Sequence, residues 1–260
     1  MGDALRVEYQ PVVSLDHTGT PVVAVEALAR WTDPLLGEAS PAEFIPLAEA
    51  SGTIGDLGLR VLAEALDRLE VWHAAGLRLH ATVNVSWAQV RDAHVLDEMR
   101  GLIRARPHSA RSLILEATES GFSTDPDGVA AFGALRRMGV RIAIDDFGAG
   151  SFSLSRLRRL PVDILKVDRE LVCGIADDAD AEAVLAATSQ LARSLGLPTV
   201  AEGVEDAATA DVARGLGVTH AQGWFFGRPA PADRLAVDEA QARGDLLAFG
   251  RGTEGSPFGP

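Results

Sequence analysis

Cysteine is almost missing from this chain of 260 residues. Cys173 stands alone, so no internal disulfide can form and no cysteine framework for a metal exists. That usage suits a reducing compartment, and a cytoplasmic location is expected. Histidine is scarce as well: the six form no H-x-x-x-H or His-Asp cluster, which argues against a histidine-based metallohydrolase. No apolar run approaches membrane-spanning length, and residues 1–10 lack the apolar core of a signal peptide, so no membrane insertion is expected. Met1-Gly2 hints at myristoylation, but position 6 is Arg6 rather than Ser or Thr. Positive charge is in deficit, with 24 Lys and Arg against 37 Asp and Glu and a formal net charge of −13. A general binder of duplex nucleic acid is thereby excluded unless a basic face is concentrated somewhere. No fixed-period repeat or interdomain linker divides the chain. It reads as one domain over 1–249, with a Gly- and Pro-rich tail at 250–260 expected to fray.

What is present is apolar material for a large core, 47% of the residues, in short runs that alternate with helical patterns. Two extended stretches, 7–14 and 21–29, flank a hairpin signal at 16–19. A Pro/Gly-rich loop over 33–41 follows. Ser40-Pro41-Ala42-Glu43 then spells a capping box with proline in the first turn of a helix. Helical spacing runs from Ile54 to Ala75. Strands are expected at 79–85, 113–117, 141–145, 164–167, 199–201 and 219–223, with helices at 90–105, 129–138, 154–160, 181–195 and 207–215. Counting the first two, there are eight strands. The fold class expected is α/β: a TIM-like (β/α)8 barrel whose first strand is antiparallel.

Each expected strand closes on a polar residue: Glu26, Asn84, Glu116, Asp145 with Asp146, Lys166 with Asp168, Glu202 and Gln222. In a parallel barrel those ends open onto one mouth. So many carboxylates in one pocket repel one another unless divalent cations neutralise them. Asp145-Asp146 alone would read as helix-capping residues in a turn; with Glu26, Asn84 and Glu116 at matching ends, the metal reading is favoured. Asp146-Phe147-Gly148 also spells the kinase metal-binding tripeptide, but no Gly-rich or His-Arg-Asp loop precedes it. Gly148-Ala149-Gly150 lacks the third glycine of a dinucleotide fingerprint. Lys166, flanked by apolar neighbours, is either a structural partner of a carboxylate or a group that orients a nucleophile; its acidic neighbours favour the second. Glu202 and Glu205 stand three apart at a strand-to-helix turn, where either could be an N-terminal helix carboxylate. Arg30, four past Glu26, can grip a phosphate. His220 reads as a core or rim residue, and Trp31 and Phe152 as packing.

The chain resembles the EAL-domain family of cyclic di-GMP phosphodiesterases, from Tyr9-Gln10-Pro11 to Arg228-Pro229. The matching segments are Glu26-Ala27-Leu28-Ala29-Arg30, Phe44-Ile45-Pro46-Leu47-Ala48-Glu49, Asn84-Val85-Ser86, Leu115-Glu116-Ala117-Thr118-Glu119-Ser120 and Asp145-Asp146-Phe147-Gly148. Leu165-Lys166-Val167-Asp168, Ala201-Glu202-Gly203-Val204-Glu205 and Gln222-Gly223-Trp224 complete the set.

The resemblance implies two Mg2+ or Mn2+ ions, one held by Glu26, Asn84, Glu116 and Asp145, the other by Asp145, Asp146 and Glu202. It implies a catalytic set of Lys166, Asp168, Glu202, Glu205 and Gln222, in which Lys166, Asp168 and Gln222 position the attacking water. Gln10, Leu28 and Arg30 would bind substrate, and Glu119 would anchor the loop after Asp146. Cyclic di-GMP would be opened to the linear dinucleotide pGpG. A homodimer is also implied, and a regulatory domain or protein outside this chain is compatible with the resemblance. The alternative is a catalytically silent receptor for the nucleotide or for a protein partner. Relatives of that kind lack several acidic ligands, and this chain lacks none. A metal phosphodiesterase for some other nucleotide is disfavoured by Arg30 and the full signature set. The departures are the stretch Ala149-Gly150-Ser151-Phe152 after Asp146, where a threonine hydroxyl is lost and an aromatic shifts by one, and Ala117 in place of a usual Ile.

Overall fold

The computed structural model describes residues 4–235 except 17–18, 34, 36, 120–121, 123–124 and 149–156. The tail at 250–260 and the departing stretch Ala149-Gly150-Ser151-Phe152 lie outside these residues, as do residues 154–156 of the helix expected at 154–160 and part of the hairpin turn at 16–19.

Among the described residues, nine strands form one sheet: β1 (Leu5–Ser14), β2 (Val22–Asp33), β3 (Gly37–Ala39), β4 (His80–Asn84), β5 (Leu113–Thr118), β6 (Arg141–Phe147), β7 (Ile164–Val167), β8 (Thr199–Ala201) and β9 (His220–Gln222). All but β3 close into an eight-stranded ring, because β1 pairs with both β2 and β9. β1 is antiparallel to each neighbour, and from β2 through β4 to β9 the pairings are parallel. The fold is therefore the expected TIM-like (β/α)8 barrel with an antiparallel first strand.

Alternation along the strands sorts residues between two cores. Outward-facing Val25, Val83, Leu115, Ile142 and Leu165 pack against Leu62, Leu66, Leu69, Met99 and Phe132 of the surrounding helices. Inward-facing Val12, Ala24, Ile114, Ala143, Ile164 and Val200 form a separate cluster that fills the lumen. The helix Pro41–Ala50 begins at the expected capping box, with the Ser40 N–H donating to the Glu43 carboxylate at 2.9 Å. The helix Ile54–Ala74 ends within a residue of its expected limit.

Three expectations need correction. The segment 33–41 is not all loop: Gly37–Ala39 is β3, paired antiparallel to the end of β2. β2 itself runs past residue 29 to Asp33, and the pairing with β3 is what prolongs it. The helix expected over 90–105 is two, Trp87–Arg91 and Ala93–Ala105, because Asp92 breaks the first and caps the second by accepting from the N–H groups of His94 and Val95.

Candidate active site

The site is the next layer of the lumen above the apolar cluster. Moving two residues toward the mouth from Ala24, Thr82, Ile114, Ala143, Ile164, Val200 and His220 gives Glu26, Asn84, Glu116, Asp145, Lys166, Glu202 and Gln222. In β1, which runs the other way, two residues before Val12 is Gln10, paired in register with Glu26. A strand period of two thus sets a polar ring directly on an apolar floor. The floor and ring meet around a small void lined by Thr82, Ile114, Ala143, Ile164, Glu116 and Lys166.

Lys166, the only lysine in the chain, is the centre of the ring. Its Nζ lies 2.6 Å from Glu202, 2.9 Å from Glu116, 3.0 Å from Asp145 and 3.8 Å from Glu26, with 3% of the side chain exposed. Burial alone would lower this ammonium's pKa, but Asp145, Glu116, Glu202 and Glu26 outweigh it and hold the value well above the ordinary lysine range. Burial pushes Glu116 well up, with Lys166 opposing and Glu26 and Asp145 adding to the rise. Burial likewise lifts Glu202 to about 8 against the pull of Lys166. One cation cannot satisfy four carboxylates, so the ring remains short of positive charge.

Amides complete it. Asn84 Nδ2 donates to Glu26 Oε1 at 2.7 Å, and Gln222 Nε2 donates to Glu26 Oε2 at 2.6 Å and to Gln10 Oε1 at 3.2 Å. Gln10 Nε2 in turn donates to the carbonyl of Gly227 at 3.1 Å.

Asp145 and Asp146 are neighbours in sequence, so plain alternation would send them to opposite faces. β6 avoids this with a bulge. Ile144 pairs with Leu165 and Phe147 with Val167, which sets one extra residue against β7. Asp146 sits there at φ +55°, a left-handed conformation that Asp tolerates better than most side chains. Asp145, Asp146 and Glu202 consequently bring one oxygen each within 4.8 Å of one another. Burial, then the charges of Asp145 and Asp168, raise Asp146 to about 6. A donor set made only of oxygen, short of positive charge and gathered this closely, fits a hard divalent cation.

The remaining expected residues are dispersed around this centre. Asp168 follows β7 and caps the short helix Arg169–Val172, accepting from the Glu170 N–H at 2.6 Å. Glu119 accepts from the Gly148 N–H at 3.0 Å, joining the end of β5 to the turn after β6. Glu205 is on the exposed rim, 3.3 Å from Arg169. It does not cap the helix Ala207–Gly215; Asp206 does, accepting from the Thr209 N–H at 2.7 Å. Leu28 and Arg30 share the Glu26 face of β2 by period two, on the stretch that overhangs the ring. His220 is buried, its Nδ1 2.8 Å from the Thr219 hydroxyl, as a core residue. Glu8 escaped the sequence reading. It pairs with Arg30 at 2.9 Å, and the available signal was its two-residue spacing from Gln10 on one strand.

The chain is similar to known proteins. MucR of Pseudomonas aeruginosa, a bifunctional diguanylate cyclase/cyclic di-GMP phosphodiesterase, is 40% identical over 241 residues, covering 91% of this chain and 34% of that protein. The cyclic di-GMP phosphodiesterase PA2567 of the same organism is 35% identical over 234 residues, covering 90% of this chain and 40% of that one. The chain thus spans about a third to two fifths of the length of these curated relatives. Among solved structures, the PaMucR phosphodiesterase in complex with c-di-GMP matches with a TM-score of 0.83 at 39% identity, over 89% of this chain and 94% of that one. The family model described as the EAL domain matches residues 2–229. The chain belongs to the EAL domain family.

Proposed function

We propose that this chain is a divalent-metal-dependent phosphodiesterase that hydrolyses cyclic di-GMP to the linear dinucleotide pGpG. The observation that carries the proposal is the complete ring of Glu26, Asn84, Glu116, Asp145, Asp146 and Glu202 around Lys166. The names of two relatives, 40% and 35% identical over the matched residues, include cyclic di-GMP phosphodiesterase, which supports the choice of substrate.

Glu26, Asn84, Glu116 and Asp145 would hold one Mg2+ or Mn2+ ion, and Asp145, Asp146 and Glu202 a second. When bound, such ions acidify a water and clamp a phosphate for in-line attack. The protein's own groups supply the orientation. Lys166, its ammonium kept charged by its neighbours, donates to the attacking water and to developing negative charge. Asp168 accepts from that water, while Gln222, held by Glu26 and Gln10, fixes its direction. Gln10 and Leu28 face a guanine, and Arg30 takes a phosphate. The apolar floor beneath the ring keeps bulk water from reaching the site from below.

The test is chromatographic: purified protein, cyclic di-GMP and Mg2+ or Mn2+, with pGpG followed over time. Chelator-sensitive conversion is expected, and Glu26→Ala is expected to abolish it. Full activity in Glu26→Ala would sink the assignment. Binding without conversion in the unsubstituted protein would make the chain a receptor.

A further inference from the structure

We infer that Glu8 is a positioning residue for Arg30, holding the guanidinium so that its free N–H groups face a phosphate of the substrate. The inference rests on the reading of Arg30 as a phosphate ligand given above.

The geometry begins with the overhang of β2. Beyond Glu26 the ribbon of β1 and β2 continues, with Glu8 opposite Leu28 and Arg6 opposite Arg30. Opposed residues of an antiparallel pair share a face, so Gln10, Glu8 and Arg6 line up beside Glu26, Leu28 and Arg30. Glu8 spans this face diagonally: its Oε2 accepts from Arg30 Nε at 2.9 Å, while its Oε1 lies 3.5 Å from Arg6 Nε. Arg6 is itself fixed, donating from Nη2 to Glu38 of β3 at 2.8 Å and from Nη1 to the Thr32 hydroxyl at 2.8 Å. The chain of contacts therefore runs from β3 through Arg6 and Glu8 to Arg30.

The inventory at Arg30 shows what this achieves. A guanidinium has five N–H donors. The Nε–H is taken by Glu8 and one Nη1–H by the Ala29 carbonyl at 3.0 Å. Among the described residues nothing accepts from the other N–H groups, on both terminal nitrogens, which form a fork that matches two phosphate oxygens. Glu8 engages the one nitrogen that such a fork does not need. Side-chain exposure is 14% for Arg30 and 16% for Glu8, so the pair is screened far less than an exposed one. A long, rotamer-rich side chain is thereby ordered before substrate arrives, which lowers the entropy lost on binding.

The test compares Glu8→Ala, Glu8→Gln, Arg30→Ala and the double variant Glu8→Ala/Arg30→Ala. Calorimetric affinity for cyclic di-GMP is measured in Mg2+, together with kcat, KM and Tm. Glu8→Ala is expected to weaken binding and raise KM roughly tenfold, with kcat changed less than about twofold and Tm nearly unchanged. Glu8→Gln, which keeps the acceptor, is expected to recover most of the loss. In the Arg30→Ala background, Glu8→Ala is expected to add nothing. In 1H–15N spectra the Arg30 Nε–H, assigned by its loss in Arg30→Ala, should persist in the unsubstituted protein and vanish by solvent exchange in Glu8→Ala. Equal losses from Glu8→Ala in both backgrounds would overturn the inference. So would tighter binding in Glu8→Ala, or a joint fall of kcat and Tm. If Arg30→Ala alone leaves affinity unchanged, the phosphate role of Arg30 has failed instead, and the spectra still report whether Glu8 holds its guanidinium.

Discussion

Lys166 concentrates the electrostatics of the ring in one side chain. It faces Glu26, Glu116, Asp145 and Glu202 from a nearly closed position, and the chain contains no other lysine. Removing one partner of a buried ionic cluster leaves uncompensated charge, a loss of about 3–5 kcal/mol. Lys166→Met is therefore expected to lower the unfolding free energy by about 3 kcal/mol in chelator. Added Mg2+ should restore part of it, while turnover stays abolished. Denaturant melts with and without Mg2+ check this, and equal stability in chelator would show that the ring does not depend on its cation. The polar identities of the ring were legible in the sequence because each closes an apolar run. Glu8 was legible only as far as its two-residue spacing from Gln10, which sets its face; nothing in a strand's own sequence marks the neighbour across the ribbon.

At the scale of elements, two local devices aim the carboxylates. The first is the bulge in β6, which depends on Asp146 holding a left-handed backbone. Asn adopts that conformation readily and a β-branched residue does not. Asp146→Val is expected to be about 1–2 kcal/mol less stable than Asp146→Asn, both in chelator so that lost metal binding does not enter. Parity between the two would mean that the bulge imposes no strain. The second device is Gly223, just past β9. A Cβ there would meet Val204 backbone atoms at 2.0, 2.4 and 2.6 Å. That close approach accompanies the hydrogen bonds from the Val204 N–H to the Gln222 carbonyl and from the Phe225 N–H to the Val204 carbonyl. Gly223→Ala must push apart the segments that carry Glu202 and Gln222, at a cost of about 1–3 kcal/mol. Thermal melting checks it, and an unchanged Tm would refute the close fit. Strand and helix alternation was legible over most of the described residues, since apolar periodicity records which face is buried. The bulge, the overhang of β2 and the strand Gly37–Ala39 were not. All three depend on pairing between chain segments, which leaves no period in either segment alone.

For the whole molecule, the raised carboxylates link stability to pH and to metal. Asp146 is lifted to about 6 and Glu202 to about 8, both above their unfolded values. Between the unfolded and folded values the folded state binds more protons, so stability contributed by these groups falls as pH rises through that window. In chelator, Tm is expected to decline from about pH 5 to about pH 8. A divalent cation needs the deprotonated carboxylates, so its stabilising shift should grow over the same range. Scanning calorimetry with Mg2+ or chelator at several pH values measures both. A Mg2+ shift that shrinks toward pH 8 would contradict the linkage.

The layer of Val12, Ala24, Ile114, Ala143, Ile164 and Val200 closes the lumen under the ring, and this governs molecular traffic. Among the described residues, the candidate site is a cup that opens at its brim. Whatever is made there must depart by the route its precursor took, and the two cannot occupy the bottom of the cup together. For the proposed opening of cyclic di-GMP at one bond, the product should behave as a purely competitive inhibitor of its own formation. A rear exit would instead give a mixed pattern.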